Sequence, residues 1–166
     1  GTPTEDALLA LAERAGVTLA SLGELARRWD VEPRSEWRMY VKTLHREASG
    51  DWLVTVKGRP DQVLELCRTI WDADGERPLT PQDREALARE NERMGGDALR
   101  VLGMARGRIP ADSARDQAMA VEERNDLLWL GMVGLEDPIR PGALEMIERF
   151  REAGIRTLMI TGDQSA

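Results

Sequence analysis

The stretch Asp51–Trp71 constrains the fold most, because it joins an apolar strand to a helix through a turn with little conformational freedom. A short β-prone run ends at Gly58, whose missing Cβ permits a tight turn. Pro60 then suits the first turn of a helix, where its absent N–H is not needed. The apolar residues that follow recur at helical spacing as far as Trp71. The sequence therefore predicts strand, turn and helix, with Lys57 at the end of the strand.

Lys57 is the one residue that departs from this apolar pattern. A lysine at the junction of strand and helix suits an anionic or electron-rich ligand. The alternative is a lysine that leaves the end of a strand for solvent, and this stretch alone favours that alternative.

The composition limits the classes of function that the chain can have. The net charge of −7 argues against nucleic-acid binding, which depends on clustered positive charge. No apolar run approaches the ~20 residues that cross a bilayer, so we expect a soluble chain. With one cysteine and one histidine, neither an internal disulfide nor the usual structural zinc site can form. Cys67 is expected in the core, on the apolar face of the helix after Pro60.

The N-terminal part predicts two helices and a hairpin. Thr2, Pro3 and Glu5 have the pattern of a capping box, which starts a first helix that ends at Gly16. A second helix is predicted from about residue 19 to Trp29. Residues 37–46 alternate as a strand, which places Trp37 and Tyr40 on opposite faces. This strand is expected to pair with residues 52–57 as an antiparallel hairpin, and His45 on it is interpreted as structural.

The middle of the chain alternates polar and apolar segments. Residues 72–78 are predicted to be a polar loop, and Thr80 to cap a mostly charged surface helix that stops at Gly95 and Gly96. Residues 99–107 form a strand-like run that contains Arg100. The polar residues 108–125 are interpreted as a mobile surface connection.

The last third has the pattern of a strand–helix–strand unit. Leu127–Leu135 is almost continuously apolar, as expected for a strand covered on both faces. A helix from about Pro141 to Ala153 and an apolar strand over residues 155–160 follow, which together predict a right-handed βαβ crossover. Ligands gather at the carboxyl ends of such strands, where Thr161, Gly162 and Asp163 stand. The helix residues expected to be buried are Leu144, Met146, Ile147 and Phe150.

Several motifs in this order resemble one family. Residues 52–61 contain Val-Lys-Gly-x-Pro-Asp, which resembles the KGAPE signature of P-type cation-transporting ATPases. GTPTEDALL and LRVLGMA resemble further segments of the same nucleotide-binding domain. The most specific match is GLEDPIRPGALEMIERFREAGIRTLMITGD. The resemblance covers nearly the whole chain and favours the branch of the family that moves small cations.

The resemblance implies a fold and two domains. The implied α/β fold is an α+β nucleotide-binding domain, with an antiparallel sheet flanked by helices, over residues 1–126. Residues 127–166 would be a partial phosphorylation domain of haloacid dehalogenase type. The fold is therefore expected to carry the nucleotide site in its first domain.

The resemblance also implies roles for single residues. Glu5 would contact adenine, and Lys57 and Gly58 would line its pocket. Leu102 would pack near the base or ribose, and Arg100 would reach the phosphates. Thr161 would bind the transferred phosphoryl group and Asp163 would help to hold the nucleotide. The remaining implied contacts are Arg38 next to the nucleotide, Gly162 beside Thr161 and Asp163, and Asp137 and Arg140 in the hinge between the domains.

Three departures from the family pattern qualify these expectations. Pro33 stands where the family has an aromatic residue that stacks on adenine, and either Trp37 or Tyr40 is a candidate substitute. The expected Arg-Lys pair is Trp37-Arg38, which leaves one of two positive charges. The phosphorylated aspartate motif DKTGT, the downstream metal-binding GDGxND motif and transmembrane helices are missing from the sequence.

The expected function follows from these departures. The chain is interpreted as a soluble ATP-binding fragment, from the cytoplasmic side of a membrane pump that uses ATP and Mg²⁺ to transport cations. Without the nucleophile and its metal ligands, the fragment itself is not expected to turn over. Its partners would be ATP and the rest of the pump. The alternative is a regulatory or interaction domain with a degenerate pocket; a free-standing dehalogenase-type hydrolase is disfavoured.

The cut through the second domain predicts one more property. Apolar residues such as Trp129 would lose the cover that the rest of a parallel sheet provides. Exposed apolar surface drives association. We therefore expect self-association, strand swapping or repacking of the last segment onto the first domain.

Overall fold

A computed structural model describes residues 2–18, 21, 26–136 and 140–158. Within these ranges one seven-stranded sheet has helices packed along it, in the strand order β1-β2-β3-β6-β7-β4-β5. The elements are α1 (Pro3–Arg14), β1 (Ala26–Glu32), β2 (Tyr40–Glu47), β3 (Trp52–Gly58), α2 (Pro60–Glu65), β4 (Cys67–Asp72), β5 (Gly75–Pro78), α3 (Pro81–Gly96), β6 (Arg100–Ile109), α4 (Arg115–Met119), α5 (Val121–Arg124), β7 (Leu127–Leu135) and α6 (Ala143–Glu152).

The sheet is antiparallel except for the parallel pair β4 and β7. This confirms the predicted fold class, an antiparallel sheet flanked by helices. The predicted hairpin of β2 and β3 is confirmed too, with Tyr40 opposite Gly58 and Arg46 opposite Trp52.

The core lies on one face of the sheet. Alternate residues of β2 and β3 are buried there, among them Leu44, Val54 and Val56, and Trp129 of β7 is 1% exposed. Gly103 leaves room for the Trp129 indole, because a Cβ at Gly103 would come within 2.6 Å of that ring. We call this side of the sheet the core face.

Two helix predictions are wrong because strand pairing overrides them. The helix after Pro60 ends at Glu65, and Cys67 begins β4 instead of continuing the helix. The Leu127 N–H donates to the Leu66 carbonyl oxygen, and the Arg84 guanidinium donates to the carbonyl oxygens of Leu64 and Cys67. Thr69, Ile70 and Trp71 also favour a strand by propensity.

Trp29 lies in strand β1, whereas the sequence predicted a helix there. Its ring meets the Trp52 ring edge-on, with 5.7 Å between the centroids. Residues 19, 20 and 22–25 of the predicted helix lie outside the described residues.

Two predicted connections contain structure. Residues 75–78 form β5, which closes a hairpin with β4 through a turn that needs Gly75 at φ +111°. Residues 108–125 include α4 and α5, and Ala118, Met119 and Val121 are buried in the core. These three apolar side chains, set in a polar run, tie that segment to the sheet, so it is not the surface connection that its composition suggested.

The last third differs most from its prediction. β7 lies within the sheet, between β6 and β4, and is buried only at its first three residues, Leu127, Leu128 and Trp129. Residues 155–158 form no strand, and 159–160 lie outside the described residues. The domain boundary after residue 126 stays a prediction, although the strand just beyond it is hydrogen bonded into this sheet.

Helix α6 has the expected position but not the expected burial. Leu144, Met146, Ile147 and Phe150 are between 40% and 61% exposed. Their spacing makes one apolar face, which is exposed in the described structure. The prediction that these four residues are buried is therefore wrong for the described structure.

Candidate functional site

Lys57 faces away from the core, on the second side of the sheet. It is paired with Val41 of β2 on one side and Met104 of β6 on the other. Residues directly opposite each other share a face, and every second residue of a strand returns to it. Lys57, Met104, Leu102 and Arg100 therefore lie on one side of the sheet, which we call the Lys57 face.

The residues of β6 extend from Lys57 in one direction. At the usual rise of a strand, Leu102 lies about 7 Å and Arg100 about 13 Å along β6 from Met104. Leu102 is partly buried beside Val133 of β7, and Arg100 is exposed opposite Leu135. An apolar residue near Lys57 and an arginine further out suit a ligand with an apolar end and an anionic end.

Glu5 comes to Lys57 from helix α1. Thr2 and Glu5 form the predicted capping box: the Thr2 N–H donates to Glu5 Oε2 at 3.0 Å, and the Glu5 N–H donates to Thr2 Oγ1 at 3.4 Å. The other carboxylate oxygen, Oε1, lies 3.7 Å from Lys57 Nζ. The Thr2 hydrogen bond and then the Lys57 charge lower the pKa of Glu5, so its carboxylate is ionised and ready to accept hydrogen bonds at neutral pH.

Gly58 lies on the core face, so it does not form part of the Lys57 face. A Cβ there would come within 2.4 Å of the Met39 carbonyl oxygen and of Tyr40 Cα. The glycine thus allows β2 and β3 to approach closely just beyond Lys57.

Arg38 is held in the loop before β2. Its Nη1 contacts Glu32 Oε1, and its Nη2 donates to the Pro33 carbonyl oxygen at 2.8 Å. The guanidinium also lies 5.8 Å from the centre of the Tyr40 ring. The Glu32 carboxylate therefore balances the charge of the Arg38 guanidinium.

The two aromatic candidates have different environments. Tyr40 is buried on the core face, and its hydroxyl donates to Glu122 Oε1 at 2.6 Å. Burial and then the neighbouring Glu122 raise the pKa of this hydroxyl well above its usual range. Trp37 is 89% exposed, so its ring is available to a ligand.

Of the residues that the last motifs single out, the structure describes only Arg140. Arg140 is exposed just before α6. Asp137, Thr161, Gly162 and Asp163 lie outside the described residues. Their roles stay predictions.

Sequence reasoning missed a buried charge cluster beneath the loop of Arg38. Lys42, 4% exposed on the core face, donates to the Met119 carbonyl oxygen at 3.0 Å and to Glu122 at 2.9 and 3.0 Å. Glu32 Oε2 lies 2.8 Å from the same ammonium. The signal was present in the sequence, because strand alternation places Lys42 on the same face as Leu44.

Two absences concern only the described part of the chain. No group of three or more His, Cys, Asp or Glu side chains there could hold a metal ion. No helix within those residues is long and apolar enough to cross a membrane.

A seven-stranded, mostly antiparallel sheet flanked by helices defines a domain of the α+β class. The chain belongs to the P-type cation-transporting ATPases: the family described as "P-type ATPase, cytoplasmic domain N" matches residues 1–142.

Similar proteins agree with this assignment. The chain is 32% identical over 163 residues to a calcium-transporting ATPase of Listeria monocytogenes, covering 98% of the chain and 18% of that protein. It is 34% identical over 167 residues to the probable cation-transporting ATPase F of Mycobacterium bovis, with 99% and 18% covered. The human calcium-transporting ATPase type 2C member 1 is 32% identical over 165 residues, with 98% and 16% covered. The chain thus spans less than a fifth of the length of these relatives.

Proposed function

We propose that this chain binds ATP on the Lys57 face and serves as the nucleotide-binding domain of a membrane cation pump. One observation carries the proposal. The register of β3 and β6 places Lys57, Leu102 and Arg100 on one side of the sheet, and α1 brings Glu5 to within 3.7 Å of Lys57. Four of the residues that the motifs single out for nucleotide contact therefore lie along one surface.

Each of these side chains suits one part of the nucleotide. The Glu5 carboxylate accepts a hydrogen bond from the adenine amino group, and the Lys57 ammonium lies beside the electron-rich ring. Leu102 packs against the base or ribose. The phosphates extend along β6 to Arg100, whose planar guanidinium remains charged and presents several donors.

Trp37 is the better candidate to replace Pro33 in base stacking, although it borders a cleft with Tyr40 and Glu122 on the core side of the sheet. Of the two aromatic candidates it alone has an exposed ring, since Tyr40 is buried and bonded to Glu122. Stacking of a base on an aromatic side chain contributes roughly 1–3 kcal/mol in nucleic-acid systems. Arg38, paired with Glu32, and Gly58, packed on Tyr40, act by shaping the loop and the strand pair around the site.

The wider function is that of the whole pump, which hydrolyses ATP with Mg²⁺ and moves cations across a membrane. In that protein this domain lies on the cytoplasmic side. Thr161, Gly162 and Asp163 contact the transferred phosphoryl group and the nucleotide, and Asp137 and Arg140 belong to the hinge. The rest of the phosphorylation domain and the membrane domain are its partners, and the isolated chain does not hydrolyse ATP.

The test is a calorimetric and NMR titration with ATP, AMP and GTP. The wild-type chain should prefer adenine, and Lys57→Ala should weaken ATP binding by about tenfold, which corresponds to the loss of one charge-assisted contact. Arg108→Ala is a matched control, because Arg108 lies on the same face of the neighbouring strand β6 but pairs with Glu47 about 13 Å from Met104. The Trp37 indole resonance should move on binding.

Two results would overturn the proposal. The first is no binding at millimolar ATP, which would favour the regulatory or interaction domain. The second is binding that Lys57→Ala and Arg108→Ala weaken equally, which would indicate non-specific attraction of phosphates. ATP hydrolysis by a pure sample, abolished by Lys57→Ala, would contradict the claim that the isolated chain does not turn over.

A further inference from the structure

A cleft on the core side of the sheet is not filled by core side chains and is not part of the proposed nucleotide site. It lies between α2 and α3, with a volume of about 370 Å³. Leu64, Leu87 and Met132, which pack on the edge of the core and are only partly buried, form its apolar lining. Pockets of about 300–1,000 Å³ with an apolar lining and a few polar groups are typical of small-molecule sites.

Two residues of the cleft lining are incompletely paired within the described part of the chain. Trp129 is 1% exposed, and its Nε1–H has no hydrogen-bond partner among the described residues. Burying such a group without an acceptor is unfavourable, so unpaired examples are rare. Trp129 lines the cleft as well as packing on Gly103.

The second residue is Arg84 of α3. Its Nη atoms donate to the carbonyl oxygens of Leu64 and Cys67, but no described carboxylate pairs with its charge. It is partly buried at the cleft wall. Arg59 at the mouth is already paired with Asp61 at 2.7 Å, whereas Glu65 and Glu92 are exposed to solvent, which screens their charges.

We propose that this cleft binds a small planar molecule with an apolar body and a carboxylate. The body packs on Leu64, Leu87, Met132 and the Trp129 ring, and the carboxylate accepts hydrogen bonds from Arg84. The carboxylates of the lining, Asp61, Glu65 and Glu92, are exposed to solvent, whereas Arg84 is partly buried and pairs with no described carboxylate, so a carboxylate ligand matches its charge. Lys57 and Glu5 are not part of it, so the site is separate from the proposed nucleotide site.

The test uses 2-naphthoate as the probe and ¹H–¹⁵N NMR as the readout. Five tryptophans give five indole N–H resonances, and Trp129→Phe identifies the one that belongs to Trp129. We expect that resonance to shift and to saturate at millimolar probe, while those of the other four tryptophans stay in place. Naphthalene-2-carboxamide, which has the same body without the charge, should bind at least about tenfold more weakly if Arg84 contributes a charge-assisted contact.

A pair of variants on one helix tests the location. Ala88 is an exposed residue of α3 that lines the cleft, and Ala86 is an exposed residue of the same helix that does not. Ala88→Phe should fill the cleft and abolish the saturable shift, whereas Ala86→Phe should leave it unchanged. Lys57→Ala should also leave it unchanged, which separates this site from the nucleotide site.

Three results would overturn the inference. They are no shift of the Trp129 resonance at millimolar 2-naphthoate, a shift that persists in Ala88→Phe, and equal movement of all five indole resonances. Equal binding of the acid and the amide would remove the role of Arg84 and leave only an apolar cavity, which also contradicts the proposed ligand class.

Discussion

The buried lysine Lys42 gives the sharpest test of how charge is balanced inside this domain. Its ammonium has two carboxylate partners, Glu32 and Glu122, while its side chain is only 4% exposed. Glu122 also accepts the Tyr40 hydroxyl hydrogen bond. We predict that Glu122→Ala is much more destabilising than Lys42→Met, although both remove the same ion pair.

The magnitude follows from what each substitution leaves behind. Breaking a buried pair from one side typically costs 3–5 kcal/mol, because a charge remains unpaired. Here Glu32 still holds Lys42, and Glu122 itself is 40% exposed, so water replaces part of the loss. We therefore expect Glu122→Ala to lower the free energy of unfolding by about 2–3 kcal/mol. Lys42→Met leaves two carboxylates that reach water and an apolar side chain on the core face, for a loss of about 1 kcal/mol or less.

Urea unfolding measures the difference. With a slope of about 2 kcal/mol/M, Glu122→Ala should lower the midpoint by about 1–1.5 M at an unchanged slope. Glu123→Ala, an exposed neighbour on α5, is the control and should stay within about 0.5 kcal/mol of wild type. Adding Lys42→Met to Glu122→Ala should restore stability. The reasoning is refuted if Lys42→Met is the more harmful single change, or if the double variant is less stable than Glu122→Ala.

Three further predictions concern packing, pH and reactivity. Gly58→Ala should destabilise the domain by about 2 kcal/mol or more, because the new Cβ would lie 2.4 Å from backbone atoms beside the neighbouring strand. A Cβ at Gly95 would meet no atom within 4 Å, so Gly95→Ala should be neutral or stabilising in urea unfolding. Arg77 and then Thr80 lower the pKa of Asp83. The stability that Asp83 contributes is therefore complete above the ordinary aspartate pKa near 4 and is lost as the pH falls through the depressed pKa. Asp83→Asn should flatten the decline of the urea midpoint between about pH 5 and pH 2, and an unchanged dependence of the midpoint on pH would contradict this. Burial raises the pKa of the Cys67 thiol to about 12, so iodoacetamide should alkylate it only under unfolding conditions, and rapid labelling of the native chain would show that β4 opens.

Local patterns predicted the elements whose neighbours along the chain decide them. The capping boxes at Thr2 and Thr80 start helices as expected, and the alternation of β2 assigned Leu44 and Lys42 to one face. These features depend on residues three or two positions apart, which the sequence displays directly.

Elements decided by distant partners were not predictable in this way. Residues 67–71 have helical spacing and strand propensity at once, and the parallel pairing of Cys67 with Leu127, sixty residues away, selects the strand. The apolar residues around Met119 look incidental in a polar run until the core above β2 is known. For the site, motifs named Glu5 and Lys57, but only the register of the sheet shows that Tyr40 lies on the opposite side from Lys57.

The Lys57-Gly58 dipeptide explains why site and core depend on each other. Side chains alternate between the two faces of a strand, so whichever residue packs inside determines what its neighbour presents outside. At Gly58 the inner position is so close to Met39 and Tyr40 that only glycine fits. A slip of one residue would bring the Lys57 side chain into that contact, where neither its volume nor its charge can be placed. The close packing of β2 on β3 therefore fixes Lys57 on the exposed face, and a variant that loosens this packing, such as Gly58→Ala, should weaken ATP binding even though Gly58 itself has no side chain to contact the nucleotide.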